Sequence, residues 1–244
     1  MAPSPGCHRS LTFGRIASYN APVEPVSEKN NFIYLVFSLV ILLLVGALVD
    51  QFPSTLGQHI LQAFSVATLA LSIVGLRASR MRLKTGIFFT VSVFLIVVFS
   101  ILLDVVGLSY LHLGVLLAFY CWITWMAGKQ VLFSGPVDAN KIVGAICIYL
   151  LVGLIWALLY LFLAQAIPDA FNGLEQRVWY DNFANAVYYS YVTLTTLGYG
   201  DISPVSPLAR FLVYIEAIIG VFYMAILVAS LIGIRVSAIH SDHH

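Results

Sequence analysis

The sequence predicts an all-α membrane protein of six spanning helices, with a half-length helix that re-enters the membrane before the last of them. Three observations carry this. Hydrophobic residues make up 61% of the 244 and charged residues only 9%, against about a quarter charged in a soluble domain. With a mean hydropathy of +0.95, the chain has too little polar surface to cover itself in water, so lipid must solvate much of it. Finally, the one long interruption between apolar segments, 168–207, holds an apolar stretch too short to cross a bilayer.

A spanning helix needs about 17–25 predominantly apolar residues. Six segments qualify: Phe32–Val49, Ile60–Leu76, Ile87–Leu103, Leu108–Ala127, Ile142–Ile167 and Leu208–Ile234. The last two exceed the bilayer's need, which implies tilt or extension past the lipid. Residues 32–127 form a four-helix peripheral bundle on this reading, and 142–234 a two-helix module. Residues 1–31, with Pro3, Pro5, Pro22 and Pro25, read as a disordered tail without the early apolar stretch of a cleavable signal. Residues 235–244 read as a short tail, and His240, His243 and His244 as a frayed end.

Positive charge sets the orientation. Arg9, Arg15, Lys29, Arg77, Arg80, Arg82, Lys84, Lys129, Lys141 and Arg235 all fall on the cytoplasmic side if the N-terminus is inside, leaving only Arg177 and Arg210 outside. Both termini are then cytoplasmic and the long loop faces out. The fourth segment, Leu108–Ala127, contains no arginine, and a voltage sensor needs several there; strong voltage gating is not expected.

Other chemistries find little support. A net charge of +1 with no basic, aromatic-interleaved patch argues against nucleic acid. Cys7, Cys121 and Cys147 have no metal-ligand spacing and read as small hydrophobes. No nucleophile stands with a base and an orienter, and no glycine loop cradles phosphate, so neither an enzyme nor a cofactor is expected. His59 and His112 read as interfacial residues, and Trp122, Trp125 and Trp179 as an interfacial aromatic belt.

The informative segment is 180–203. Tyr180–Thr195 carries Tyr188, Tyr189, Tyr191, Val192 and Leu194 without Pro or Gly, and reads as a re-entrant half helix. Asp181 or Asn182 suits its N-cap, and the negative end of its dipole would point toward the bilayer centre, where a cation could wait. Then follows Thr195-Thr196-Leu197-Gly198-Tyr199-Gly200-Asp201. Irregular backbone at membrane depth survives only when buried in protein or lining a watery cavity. Successive carbonyls can replace a cation's hydration shell, but pointing them one way requires backbone angles that Gly198 and Gly200 tolerate. The Thr196 hydroxyl can add an oxygen at the inner end.

From about Ile142 to Ile234 the chain resembles the potassium-channel pore family, in particular the small bacterial six-helix channels without a large cytoplasmic domain. The resemblance implies a re-entrant pore helix and a selectivity-filter loop between helices five and six. It also implies a homotetramer around a central pore, since one chain offers one loop and a ring of oxygens needs four. The transported ion would be K⁺, held by the carbonyls of Thr196, Leu197, Gly198 and Tyr199, with Gly200 completing the filter. Leu197 stands where the family usually has valine, with its side chain turned away from the ions.

By the same resemblance, Thr195 and Asp201 support the filter, and Tyr188 and Tyr189 occupy positions that are often tryptophan. Tyr189 is expected to buttress Tyr199, and Tyr188 to offer its hydroxyl to Asp201. Val192 replaces a glutamate that in some relatives pairs with the aspartate. Arg210 and Gly220 match the family's outer arginine and mid-helix hinge glycine, although glycine also allows close helix packing. Glu216, a carboxylate within an apolar helix, is a functional candidate expected to hydrogen-bond Ser190 or Thr193.

The function expected is passive, selective K⁺ permeation across a bacterial plasma membrane. Identical subunits, membrane lipids and K⁺ are the partners. The competing readings are a weakly selective cation channel and a non-conducting channel or transporter subunit.

Overall fold

The structure, a computed structural model, describes residues 31–49, 54–75, 80–103, 106–133, 139–174 and 178–241. Expectations for the tail 1–30, for Arg77 and Arg177, and for His243 and His244 lie outside those residues.

Seven helices account for almost all of the described chain: α1 (Asn31–Leu48), α2 (Ser54–Gly75), α3 (Arg80–Leu103), α4 (Val106–Phe133), α5 (Ala139–Ala166), α6 (Phe183–Leu194) and α7 (Pro207–Ser241). Four of them are long and apolar enough to cross a membrane, over Leu83–Ser100, Gly107–Val131, Asn140–Ala166 and Pro207–Ser230. The apolar part of α1, Phe32–Leu48, falls at the short limit. In α2 the apolar character is diluted by Gln62, Ser65, Thr68 and Ser72, all buried. Such hydroxyls need partners away from water, and they find them one turn back: Ser65 donates to the Gln62 carbonyl (2.7 Å), Thr68 to Phe64 (2.8 Å) and Ser72 to Thr68 (2.6 Å).

Helices α1 to α4 pack in sequence, each on the next, and α5 packs on both α4 and α1. The spacings of buried residues explain why. Phe32, Leu35, Leu39 and Leu42 on α1, Leu113, Leu116, Tyr120 and Ile123 on α4, and Cys147, Leu151, Leu154 and Leu158 on α5 recur every three or four residues. Each set forms one helical stripe, and the stripes meet in a single apolar core. The opposite faces are apolar too: Tyr34 and Phe37 of α1, Leu111 and Trp125 of α4, and Ile146 and Phe162 of α5 are exposed. A helix apolar on both faces suits a lipid or protein surround, not water.

α6 lies among α5, α7 and α1. One departure from the all-helical expectation sits beside it: β1 (Phe171–Asn172) pairs antiparallel with β2 (Ser203–Pro204), aligning Phe171 with Pro204 and Asn172 with Ser203. Amides of Val205 and Ser206 both reach the Ala170 carbonyl, at 2.9 and 3.2 Å. The segment after α5 is thereby stitched to the segment after the glycine loop.

Candidate functional site

α6 has 12 residues, about 18 Å at 1.5 Å each, too short for a hydrocarbon core of about 30 Å. Asn182 occupies its N-cap position, yet its side chain makes no capping hydrogen bond. The helix end is instead fixed by a turn at 178–181, with the Asp181 amide 3.0 Å from the Val178 carbonyl.

The other end of α6 shapes the loop. The Thr195 amide bonds the Tyr191 carbonyl (3.0 Å), Thr196 bonds Thr193 (2.9 Å), and Leu197 and Gly198 share the Val192 carbonyl (2.9 and 3.3 Å). The Thr195 hydroxyl also turns back, 2.6 Å from the Tyr191 carbonyl. With these donors facing the helix, the backbone beyond is ordered by its dihedral angles. Thr196, Gly198 and Gly200 lie at φ of +61°, +55° and +81°: every second residue takes the left-handed region. Alternation of hand is what lets successive carbonyls face one side.

The glycines were legible as positive-φ positions; Thr196 was not. A β-branched residue there is a conformational outlier, costing on the order of 1–3 kcal/mol. The signal was present, since the two-residue period of Gly198 and Gly200 extends back to 196.

Around this loop the aromatic roles differ from expectation. Within the chain it is Tyr188, not Tyr189, that stacks on Tyr199, with ring centroids 6.5 Å apart and planes within 12°. The Tyr188 hydroxyl faces the Asp201 carboxylate. Tyr189 turns the other way and packs between Tyr160 (5.2 Å) and Phe171 (5.8 Å). The Val192 side chain is buried, and its contribution to the loop is the carbonyl described above. Leu197 and Tyr199 are 61% and 68% exposed, so one chain alone does not cover the outer side of the loop.

Behind α6, Glu216 of α7 is wholly buried. It accepts from the Ser190 hydroxyl at 2.5 Å, as anticipated, and from the Tyr160 hydroxyl, which sequence spacing did not suggest. Ser190 also lies 2.7 Å from the Gly153 carbonyl. This node joins α5, α6 and α7. Gly153 permits it, because a Cβ there would collide with the Tyr191 ring; Tyr191 itself donates to the Leu150 carbonyl at 2.7 Å. Gly220 is likewise a close-approach glycine: a Cβ on it would run into the Leu194 carbonyl oxygen, the end of α6. Arg210 reaches from α7 to the Pro204 carbonyl at 3.4 Å.

Trp125 is exposed, with the Lys129 ammonium 4.8 Å from its ring centre. The aromatic-belt expectation fails for Trp179, and the interfacial reading fails for His112: both are buried, and their rings meet edge to face at 5.0 Å. Sequence spacing could not reveal this, because the two lie on separate elements. No group of three or more potential metal-ligating side chains occurs among the described residues.

A family comparison falls on the same region. Residues 144–235 match a family profile described as an ion channel. Over 102 residues the chain is 36% identical to the inward rectifier potassium channel Kirbac3.1 of Paramagnetospirillum magnetotacticum, a match covering 42% of this chain and 30% of that protein.

Proposed function

We propose, from the match of residues 144–235 to an ion-channel family profile, that this chain is one subunit of a potassium-selective channel. Four copies surround a central pore, each lending one 196–200 loop as a quarter of the filter. α6 is the re-entrant pore helix, and the six expected segments span a bacterial plasma membrane with both termini cytoplasmic.

The reading rests above all on the alternating positive φ of Thr196, Gly198 and Gly200. With the preceding amides bonded to α6, the carbonyls of Thr196, Leu197, Gly198 and Tyr199 are free to face the ion path. A K⁺ ion leaving water exchanges its hydration shell for rings of these oxygens, and the Thr196 hydroxyls complete the innermost ring. Several adjacent sites of moderate affinity let ions displace one another in file. The C-terminal end of α6 adds the negative pole of its dipole toward the waiting ion. The exposed Leu197 and Tyr199 are covered by neighbouring subunits, which ties filter geometry to assembly. The inner part of α7, from Ala225 to Ser230, lines the lower pore with mostly apolar side chains, a surface that gates by dewetting.

The test is flux from liposomes holding the purified full chain, under a K⁺ gradient and then a Na⁺ gradient, with Gly198→Ala as control. K⁺ flux with little Na⁺ flux, lost in the variant, is the expected result. Equal flux of both ions would replace selectivity with general cation permeation. A folded tetramer that passes neither ion under any stimulus would make the chain a non-conducting subunit.

A further inference from the structure

We propose that Trp179 is a positioning residue for the filter: helices α1, α2 and α4 grip the lead-in of α6 through it and so hold the loop at the far end of that helix. The inference rests on the reading of residues 196–200 as a K⁺ filter, and it gives the peripheral helices a role: a clamp on the pore helix.

The lead-in is embedded in the bundle. Trp179 and Phe183 are 2% and 3% exposed, and their rings pack edge to face at 6.2 Å. His112 of α4 sets its ring against Trp179 at 5.0 Å and 71°. Leu42 of α1, Leu61 and Ser65 of α2 and Tyr120 of α4 line a small cavity together with Trp179 and Phe183. From α1, Gly46 lies so near that a Cβ there would meet the Phe183 ring at 2.6 Å. Three helices of the bundle therefore converge on two aromatic side chains at the start of α6.

What happens at Trp179 must reach the loop. The turn at 178–181 leads directly into α6, whose 12 residues contain neither Gly nor Pro, so the helix moves as a rigid rod. The Val192 carbonyl in its last turn holds the amides of Leu197 and Gly198. Between the ends, Ser190 pins the rod to Glu216 and Gly153. A shift at one end thus tilts the other about that pin. A ring of carbonyl oxygens discriminates between ions of similar size, so small displacements register as altered ion preference.

A side chain that merely fills space affects folding and the amount of flux; one that positions the filter changes which ions pass. The experiment therefore compares the ratio of Na⁺ to K⁺ flux in liposomes for Trp179→Leu, Trp179→Phe, Gly46→Val and Leu69→Ala. Leu69 is equally buried, on α2, and serves as the control for a loosened bundle core. The expected result is a rise of about tenfold in the ratio for Trp179→Leu, since displacements near 1 Å carry effects of that order or larger. Gly46→Val, which presses on Phe183 without emptying the core, is expected to act in the same direction. Trp179→Phe, which keeps an aromatic ring at the site, and Leu69→Ala, at a residue that does not line the cavity beside Trp179, should stay within about twofold of the parent.

If Trp179→Leu does not assemble, Gly46→Val decides. An unchanged ratio in Gly46→Val or an assembled Trp179→Leu, or an equal change in Leu69→Ala, overturns the proposal. A parent protein that passes Na⁺ as readily as K⁺ instead overturns the filter reading on which it stands.

Discussion

Gly220 of α7 crosses α6 against the carbonyl of Leu194, so closely that a Cβ would occupy the space of the oxygen. The obstacle is backbone at the end of a helix, and the same carbonyl faces the Tyr149 hydroxyl at 3.4 Å; neither yields like the tip of a flexible side chain. Gly220→Ala is therefore expected to force α7 from α6, at an overpacking cost of about 1–3 kcal/mol. A lower thermal midpoint of the detergent-solubilised oligomer, together with altered flux, is the expected outcome. If the glycine serves only as a hinge, the midpoint stays put while flux alone changes.

The node behind α6 makes a second prediction. Ser190→Ala removes one partner of the buried Glu216 carboxyl and leaves the Gly153 carbonyl without the hydroxyl that faces it. Uncompensated buried polar groups cost about 1–3 kcal/mol each. Ser190→Ala should lower the thermal midpoint more than Ser190→Thr, which retains the hydroxyl. Glu216→Leu should be worse than Glu216→Gln, because glutamine still accepts from Tyr160. Equal midpoints for the leucine and glutamine variants would show that the polar node contributes nothing.

How much of this was legible in the sequence follows from distance along the chain. The loop 195–201 was readable because its chemistry is local: a two-residue period of glycines after an unbroken helix. The apolar stripes of α1, α4 and α5 are local as well, repeating every three or four residues. The contact of Tyr160 with Glu216 spans 56 positions, and nothing local distinguishes Tyr160 from a lipid-facing tyrosine. Trp179 and His112 were misread for the same reason, since an aromatic at a helix end suits a membrane interface until another helix is found over it. The ladder of β1 and β2 went unread because two-residue strands carry no period. That Tyr188 and not Tyr189 stacks on Tyr199 within one chain turns on about 100° of helix rotation, finer than a sequence resemblance resolves.

The glycines of the loop separate conformation from crowding. No heavy atom lies within 4 Å of a Cβ placed on Gly198 or Gly200 in the single chain, so alanine meets no clash there. What it meets is a φ of +55° or +81°, disfavoured for an L-residue by about 1–2 kcal/mol. Four subunits each bear that cost in the proposed ring. Gly198→Ala should accordingly abolish K⁺ flux and lower the thermal midpoint of the detergent-solubilised oligomer. A D-alanine introduced at 198 by semisynthesis fits the same φ and should restore flux; failure of D-alanine to do so would mean that bulk, not backbone hand, is the obstacle.

Tyr188 separates stacking from hydrogen bonding in the same way. Its ring lies flat on Tyr199 while its hydroxyl faces Asp201. Tyr188→Phe keeps the first and loses the second; Tyr188→Leu loses both. An aromatic pair is held by more than its buried area, so the leucine variant should destabilise the loop and weaken ion discrimination. The phenylalanine variant should preserve discrimination but speed the slow decay of current under sustained K⁺ flux, because Asp201 is freed to move. Current decay unchanged in Tyr188→Phe would remove the hydroxyl from the account and leave the stack as the whole of the residue's contribution.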